Sequence, residues 1–270
     1  AAFQGEPPFL LSSAFPYALV GDKTVRLYPR PLGVPPGIDA SDVKTVKRLK
    51  HVAFVSEVLF LRWIKGQTLA SEVPQVGEDQ PSLLAEGQIW IARKELSACR
   101  AYGIVDRSDQ PALWYQADVP RVTVDRIHSS SAVYQAGRVS FQPGGGLWLG
   151  IAWGQDVALR QQIERLLVIL GDGGMGGERS SGHGQFDVVG SETAALPDPE
   201  ERCVLLSPYR PRNTGEAGAL ADQRAAYRLL VRRGWIASPE GRTLRRKAVR
   251  MVGEGAVLPA EPYPRGGLAD

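Results

Sequence analysis

A run of glycines limits what the centre of this chain can form. Seven of the fourteen residues from Gly171 to Gly184 are glycine. Glycine accepts positive φ and lets other backbone approach closely, but it weakens helices and strands. The run therefore predicts a loop, and a succession of backbone N–H groups in such a loop suits an anion such as a phosphate. Four side chains of the run could act as further donors: Arg179, Ser180, Ser181 and His183.

Two known nucleotide-binding motifs are also rich in glycine, and the run must be compared with each of them. The spacing Gly171-x-Gly173-x-x-Gly176 matches the dinucleotide pattern, which requires a strand before the glycines and a helix after them. Here an amphipathic helix over Asp156–Leu170 leads in and a predicted strand over Gln185–Val189 leads out. The reversed order argues against a dinucleotide site, and no Gly-Lys-Ser or Gly-Lys-Thr closes the run as a P-loop would. A long turn without any ligand stays open as an alternative.

The regions outside the run predict a mixture of strands and helices. The apolar segment Val52–Ile64 could be a strand that passes into a short helix, and its periodicity does not separate strand from helix. The segments Arg138–Phe141 and Leu147–Trp153 flank Pro143–Gly146 and predict a hairpin, and Cys203–Leu206 predicts another strand. This order favours an α+β fold with an antiparallel sheet and helices on one face.

Charge is concentrated near the end of the sequence. The formal net charge is only +3, yet Glu201 to Arg250 holds eleven arginines and one lysine against four acidic residues, a local charge of +8. Arginine binds phosphate oxygens in pairs and stacks on bases, so this segment fits either a nucleic-acid contact or a solvated face. The cations near Arg245, Arg246 and Arg250 fit an RNA contact and a protein interface equally well.

Several classes of protein are disfavoured. No stretch approaches the ~20 apolar residues of a membrane span, and the first eight residues lack the layout of a secretory signal, so the expected location is cytoplasmic. Cys99 and Cys203 are too isolated for a disulfide framework or a metal site. Each is expected to be a small buried apolar group, and no metal or other cofactor is predicted.

Three segments together resemble a known family. The first is Gly173–Gly184, read as GGMGGERSSGHG after a helix, which resembles the glycine-rich loop of the RAMP superfamily of CRISPR systems. The second is Val119–Ile127, read as VPRVTVDRI, followed by serines, Tyr134 and Gly137-Arg138-Val139. The third is Phe9–Tyr17 with Leu27–Pro31, which is rich in proline. Together they resemble the Cas5-like RAMP subunit of type III-A CRISPR Csm effector complexes.

This resemblance implies a fold, partners and a role. The fold would be α+β, with two ferredoxin-like (RRM-like) domains, antiparallel sheets and a glycine-rich loop. The expected domains are 1–118, lacking the family's first strand and helix, and 119–270, which carries the loop. The implied role is to grip the 5′ repeat-derived handle of the guide RNA (crRNA). The partners would be the large polymerase-like subunit and the backbone RAMP subunit of an antiviral complex, with no membrane involved and no catalysis by the chain itself.

Candidate RNA-binding residues come from two segments, which we expect to form opposite walls of a groove. Alternation on a strand places Arg121, Thr123 and Asp125 on one face and Arg126 on the other. Asp125 could instead form a structural ion pair with an arginine. The second segment is the glycine loop. The full predicted set is Arg121, Thr123, Asp125, Arg126, Ser129, Ser130, Tyr134, Gly173, Gly174, Gly176, Gly177, Arg179, Ser180, Ser181, Gly182, His183 and Gly184.

An enzymatic alternative comes from the same superfamily, in which some members cleave precursor guide RNA with a histidine as general acid or base. Only His51, His128 and His183 are available for this chemistry. A metal-independent endoribonuclease that uses His183 or His128 therefore remains the alternative to an RNA-binding subunit. A third possibility is a scaffold whose basic surface contacts only other proteins.

Overall fold

The structure is a computed structural model that describes residues 7–74, 82–85, 87–101, 113–125, 130–176, 178–236, 244–264 and 266. The chain separates into two compact units. The smaller holds residues 1–12 and 150–198, and the larger holds residues 13–149 and 199–270. Both units are discontinuous in sequence. The predicted division between residues 118 and 119 concerns folding domains rather than compact units, and it stays a prediction.

The described residues form short strands and helices. In chain order the strands are β1 (Phe9–Leu11), β2 (Phe15–Val20), β3 (Lys23–Pro29), β4 (Phe54–Ser56), β5 (Leu83–Leu84), β6 (Ile89–Trp90), β7 (Trp114–Asp125), β8 (Ser130–Phe141), β9 (Gly145–Trp148), β10 (Ile151–Trp153), β11 (Arg202–Val204), β12 (Leu229–Arg232), β13 (Trp235–Ile236), β14 (Leu244–Arg245), β15 (Val249–Val252) and β16 (Val257–Pro259). The helices are α1 (Val43–Leu49), α2 (Glu57–Ile64), α3 (Arg93–Ala101), α4 (Val157–Gly173) and α5 (Thr214–Gly218). The chain is thus mixed α/β with mainly antiparallel pairing.

A six-stranded sheet in the order β5-β6-β4-β3-β2-β9 organises the larger unit. All neighbours are antiparallel except β4 and β6, which run parallel. The hairpin between β2 and β3 turns at Gly21, whose φ of 61° suits the first position of a two-residue turn. Strand β9 pairs with β2, and this pairing places Trp148 opposite Phe15.

Both faces of this sheet are covered, because adjacent residues of a strand point to opposite sides. Leu27 packs in one buried cluster with residues of α3, including Leu96. The next residue, Tyr28, packs in a second cluster with residues of α2 and stacks on Phe60, with 4.4 Å between the ring centroids. The prediction of helices on one face only is therefore wrong for this sheet.

The C-terminal part of the larger unit adds short antiparallel pairs. β11 pairs with β16, β12 with β15 and β13 with β14. A third buried cluster lies beneath these strands and contains Tyr209, Val252, Ala256 and Leu258.

The smaller unit combines one strand pair with one helix. β1 pairs with β10, and this pairing places Phe9 opposite Trp153. Asp156 caps α4 by accepting a hydrogen bond from the N–H of Leu159 at 3.0 Å. Arg160 lies over the ring of Trp153, 5.7 Å from its centroid, so the first turn of α4 contacts the strand pair.

Local patterns predicted several elements correctly. The segment Val52–Ile64 is β4 followed by α2, and the predicted helix over Asp156–Leu170 is α4. Two predictions are wrong. The strands on either side of Pro143–Gly146 do not pair with each other, because β8 pairs with β7 and β9 with β2. The residues Gln185–Val189 form no strand, and Val189 is largely exposed.

Two further observations concern the predicted class of protein. Among the described residues, no helix is both long and apolar enough to cross a bilayer. Within the same residues, no three His, Cys, Asp or Glu side chains lie close enough together to hold a metal ion. Cys99 is buried as predicted, whereas Cys203 is only half-buried.

Candidate nucleic-acid interface

The predicted segment Val119–Ile127 lies on a long two-stranded ribbon. β7 and β8 pair along 12 residues each, from Trp114 opposite Phe141 to Asp125 opposite Ser130. The base of the ribbon is fixed by Leu113, which is buried, and by Trp114, which meets Phe54 edge to face at 6.5 Å. Most described side chains farther along the ribbon are exposed on both faces. An isolated two-stranded ribbon is marginally stable in water, so this one presents two faces suited to ligands or partners.

The strand register places the predicted residues on one face. Arg121 lies directly opposite Tyr134, and Thr123 lies opposite Ala132. Directly opposed residues point to the same side, so Arg121, Thr123 and Tyr134 share a face. The backbone pairing brings position 125 opposite position 130 at the far end of the ribbon. Arg126 and Ser129 lie outside the described residues.

The same face carries an aromatic residue and a cation that the predicted set omits. Tyr115 is 56% exposed and lies opposite Ser140. Arg138 is exposed, lies opposite Ala117 and donates from Nε to Ser140 Oγ at 3.1 Å. Extending the alternation of Arg121 and Thr123 backwards by six residues would have found Tyr115. We call Tyr115, Arg121, Tyr134 and Arg138 the tyrosine–arginine face.

The opposite face of the ribbon carries four exposed valines. Val122 lies directly opposite Val133, and these side chains are 57% and 68% exposed. Val124 and Val139 point to the same side and are also exposed. This valine face consists of Val122, Val124, Val133 and Val139. The ribbon is therefore two-sided: tyrosines and arginines lie on one side, and exposed valines lie on the other side together with polar residues such as Gln116 and Gln135.

The first three residues of the glycine run, Gly171 to Gly173, form the end of α4 and not the predicted loop, and the remainder of the run is a closed loop. Gly174 ends the helix with a φ of 74°, and its N–H donates to the carbonyl of Leu170 at 2.8 Å. The N–H of Met175 donates to the carbonyl of Gly184 at 2.8 Å, which joins the two ends of the loop. A Cβ on Gly184 would collide with the backbone of Met175, so glycine is required at this position.

Other glycines of the run face open space. An added Cβ at Gly173, Gly176 or Gly182 would meet no atom within 4 Å. The glycines thus divide into those that close the base of the loop and those that leave its backbone accessible. The accessible group is the one that a bound phosphate or ribose would require. Gly177 lies outside the described residues.

Polar groups of the loop surround Glu178. Ser181 donates from its backbone N–H to the carbonyl of Glu178 at 3.0 Å and from Oγ to the carboxylate at 3.4 Å. The backbone N–H of His183 donates to the carbonyl of Glu178 at 3.3 Å. Arg179 is exposed on the single 3₁₀ turn Arg179–Ser181. Part of the donor set predicted for RNA therefore holds the loop together, and Arg179 remains as its exposed cation.

The two segments predicted to bind RNA lie in different compact units. The glycine loop belongs to the smaller unit and the ribbon to the larger one. Their arrangement as two walls of one groove stays a prediction. Of the three histidines, His51 is exposed after α1, His183 is half-buried in the loop, and His128 lies outside the described residues.

Comparisons with known proteins agree on one family. Residues 198–270 match the CRISPR Csm4 C-terminal domain. The CRISPR system Cms protein Csm4 of Thermococcus onnurineus (strain NA1) is 24% identical over 263 residues, which cover 93% of this chain and 71% of that protein. Its namesake in Mycobacterium tuberculosis (strain CDC 1551 / Oshkosh) is 33% identical over 140 residues, 51% of this chain and 44% of that protein.

Solved structures share the fold at low sequence identity. The crystal structure of a Csm3–Csm4 subcomplex of the type III-A CRISPR-Cas interference complex matches with a TM-score of 0.64 at 16% identity, covering 97% of this chain and 80% of that chain. A Csm1–Csm4 cassette in complex with cA4 matches with a TM-score of 0.52 at 20% identity, covering 96% and 69%. The resemblance found in the sequence is thereby confirmed.

Proposed function

We propose that this chain, whose sequence and fold match the Csm4 family of type III-A CRISPR effector subunits, grips the 5′ repeat-derived handle of the guide RNA. The observation that carries this proposal is the tyrosine–arginine face. Arg121 and Tyr134 lie directly opposite each other on an exposed ribbon, with Tyr115 and Arg138 on the same side. Single-stranded RNA is bound by this combination, because bases stack on aromatic rings and phosphates pair with guanidinium groups.

The glycine loop supplies a second contact in this proposal. Its accessible glycines allow close approach of a ribose–phosphate backbone, and Arg179 adds a positive charge beside them. The match to the Csm4 family also supports the proposal of two ferredoxin-like domains that divide between residues 118 and 119.

We further propose that the chain bridges two protein partners in a cytoplasmic complex. The matching structures contain Csm4 together with Csm3 in one case and with Csm1 in another. By analogy, this chain would contact the backbone RAMP subunit on one side and the large polymerase-like subunit on the other. The valine face is a suitable contact surface, because exposed aliphatic groups on a protruding ribbon are stabilised by burial against a partner.

One experiment separates binding from catalysis. Purified protein is incubated with labelled repeat RNA with and without divalent metal, and binding and cleavage are followed independently. We expect binding without a defined cut, and binding that weakens steeply as salt rises, because phosphate contacts release counterions. A defined cut that disappears in His183→Ala or His128→Ala would establish the endoribonuclease alternative and end the proposal of a non-catalytic subunit.

A matched pair of variants tests the site. Tyr134→Ala removes a stacking platform, and stacking contributes roughly 1–3 kcal/mol per base, so the Kd for handle RNA should rise about 5- to 140-fold. Gln135→Ala changes the neighbouring exposed residue on the other face and should leave the Kd nearly unchanged. Equal effects of the two substitutions would rule out a face-specific RNA contact.

A complex that assembles equally well without any RNA would favour the scaffold hypothesis.

A further inference from the structure

One edge of strand β12 is open. β12 pairs with β15 along its other edge, from Leu229 opposite Val252 to Arg232 opposite Val249. These two strands form a sheet by themselves, so within the residues that the structure describes no strand covers the second edge of β12. An open strand edge presents a row of backbone N–H and C=O groups with which another chain can pair.

The backbone of Leu229 and of Val231 faces this open edge. The N–H of Gly253 donates to the carbonyl of Arg228 at 2.9 Å, so the backbone of Arg228 faces β15. Along a strand these groups point alternately to one edge and to the other. Leu229, which follows Arg228, and Val231, two residues later, therefore direct their N–H and C=O groups away from β15.

The neighbouring strand agrees with this direction. Val252 lies opposite Leu229, and its backbone exchanges hydrogen bonds with Tyr209, at 2.7 and 2.8 Å, on the side away from β12. Leu229 and Val252 thus form a non-hydrogen-bonded pair, in which the backbone of each residue faces outwards. The open edge consequently offers the donors and acceptors of two alternate residues to an incoming strand.

The side chains of the same two residues are apolar. Leu229 and Val231 are each more than half exposed, and Tyr227, just before them, is exposed as well. Leu229 lies beside Val252, which is buried in the third cluster. The buried cluster therefore ends at β12, and a further strand against the open edge would extend it over the exposed aliphatic groups. Removing such groups from water stabilises an association.

The opposite face of β12 carries positive charge. Arg228 and Arg232 alternate with the two aliphatic residues, so their side chains point to the other side of the strand. Both arginines are exposed. Glu254 lies 3.6 Å from a guanidinium nitrogen of Arg232, and among the described residues this is the one ion pair that either arginine makes. The open edge thus has aliphatic side chains on one face and cations on the other.

These charges decide which ligand fits the edge. In a second copy of the chain, pairing Leu229 of one copy with Val231 of the other would place Arg228 opposite Arg232, and like charges directly opposite each other are destabilising. A nucleic acid would leave the aliphatic face uncovered, because bases stack on planar groups and phosphates pair with cations. A protein strand whose side chains alternate between apolar and acidic satisfies the backbone and both faces.

We propose that the open edge of β12 binds an extended segment of a partner protein by strand addition, and that this segment alternates apolar and acidic side chains. Its backbone pairs with Leu229 and Val231, and its apolar side chains cover theirs. Its carboxylates pair with Arg228 and Arg232 on the other face. This contact uses neither the tyrosine–arginine face nor the valine face, so it stands independently of the handle site.

The first test uses the full chain and a labelled peptide, acetyl-Gly-Val-Glu-Val-Glu-Val-Glu-Gly-amide. Fluorescence anisotropy gives its Kd. A block peptide of the same composition, acetyl-Gly-Val-Val-Val-Glu-Glu-Glu-Gly-amide, has the same charge without the alternation. We expect saturable binding of the alternating peptide and a Kd roughly tenfold higher for the block peptide, which loses either its side-chain contacts or its backbone register. Equal values would reflect charge alone, and they would overturn the proposal, as would failure of the alternating peptide to bind.

The variant Val231→Pro tests the backbone contact. Proline has no N–H, and the N–H of Val231 points away from β15, so the pairing of β12 with β15 keeps its hydrogen bonds. The Kd of the alternating peptide should rise about 2- to 12-fold, as expected for the loss of one hydrogen bond. Val189→Pro, at an exposed valine outside any strand, is the control and should leave the Kd unchanged. A Kd that Val231→Pro does not alter would exclude strand addition.

A pair of double variants tests the side chains. Leu229→Ser/Val231→Ser removes the aliphatic groups without a change of charge and should raise the Kd of the alternating peptide about tenfold or more. Val188→Ser/Val189→Ser removes two exposed aliphatic side chains elsewhere and should have no effect. Equal effects of the two double variants would contradict the proposal. Thermal melting of each variant confirms that it is folded before its Kd is compared.

Two other outcomes would identify a different ligand and overturn the proposal. Displacement of the alternating peptide by a uridylate oligomer at physiological salt would assign the edge to nucleic acid. Dimerisation of the chain in analytical ultracentrifugation, abolished by Val231→Pro, would assign it to a second copy. Tyr134→Ala should raise the Kd for handle RNA and leave the Kd of the peptide unchanged, so failure of the handle site and failure of this contact are distinguishable.

Discussion

The hydroxyl of Tyr209 donates to the buried carboxylate of Glu216 at 2.8 Å. The same carboxylate accepts the backbone N–H of Arg212 at 2.8 Å, and Arg212 Nε donates to the carbonyl of Gly266 at 2.9 Å. Burial alone would raise the pKa of Glu216, but the hydrogen bonds from Arg212, Tyr209 and Gly266 outweigh it, and the net pKa is lowered. This network connects α5 to the last described residue of the chain.

The network predicts a specific pH dependence of stability. A carboxyl group whose pKa is lowered by folding stabilises the folded state above its unfolded pKa of about 4.3, and that contribution is lost as pH falls through the folded pKa. Glu216→Gln should therefore lower the free energy of unfolding by roughly 1–3 kcal/mol at pH 7, and the difference should shrink below about pH 4. Urea unfolding across pH measures it. Glu200→Gln, at an exposed position, serves as the control and should show no such difference.

The raised pKa values of the two cysteine thiols give a second prediction. Burial raises the pKa of Cys99 to about 11 and also raises the pKa of Cys203. Because the thiolate is the reactive form, neither residue should be alkylated quickly at pH 8 in the folded chain, and both should react once urea unfolds it. Mass spectrometry after timed iodoacetamide treatment gives the two rates. Rapid modification of native Cys99 would contradict the packing of α3 against the sheet.

Sequence patterns predicted elements wherever the determining interactions are local. The helix α4 follows from the spacing of its apolar residues. The run Val52–Ile64 indicated a buried element, but its periodicity did not separate the strand β4 from the helix α2. The pairing of the strands could not be predicted from such local patterns. The glycines after Phe141 indicated a hairpin, yet β9 pairs with β2, more than a hundred residues earlier in the chain. Such a partner supplies hydrogen bonds that no pattern near Gly145 encodes.

The candidate site could likewise be predicted only in part from the sequence. Alternation correctly placed Arg121 and Thr123 on one face of a strand. The additions of Tyr134 and Arg138 to that face, and of the valines to the other, depend on the register between β7 and β8. In the glycine loop, sequence could not separate Gly184, whose backbone contact closes the loop, from Gly173, which faces open space. The sequence therefore located both segments, but the role of each residue within them depends on contacts that only the structure shows.

That difference between glycines gives a third prediction. Gly173→Ala lies at the end of α4, where an added Cβ meets no atom within 4 Å, so stability should rise slightly or stay constant. If RNA approaches the loop backbone, the same substitution should weaken handle binding. Gly184→Ala should instead destabilise the loop, because its φ is positive and its Cβ would collide with Met175. Gly190→Ala, in equally open space outside the loop, is the control. Unaltered RNA affinity in Gly173→Ala would remove the loop from the proposed interface.

The two-sided ribbon gives the last prediction, which is a pattern rather than a single effect. Strand alternation requires that RNA binding respond to every second residue, so Tyr115→Ala and Arg138→Ala should each raise the Kd for handle RNA severalfold or more. Gln116→Ala and Val139→Ala, one residue away on the opposite face, should have little effect on RNA. Conversely, Val133→Asp should leave RNA affinity of the isolated chain nearly unchanged and reduce its co-purification with the backbone RAMP subunit, because a charge on the valine face cannot be buried without cost. A scan in which both faces affect RNA equally would show that the strand wraps around the ribbon, and the proposed division of labour between its faces would then be wrong.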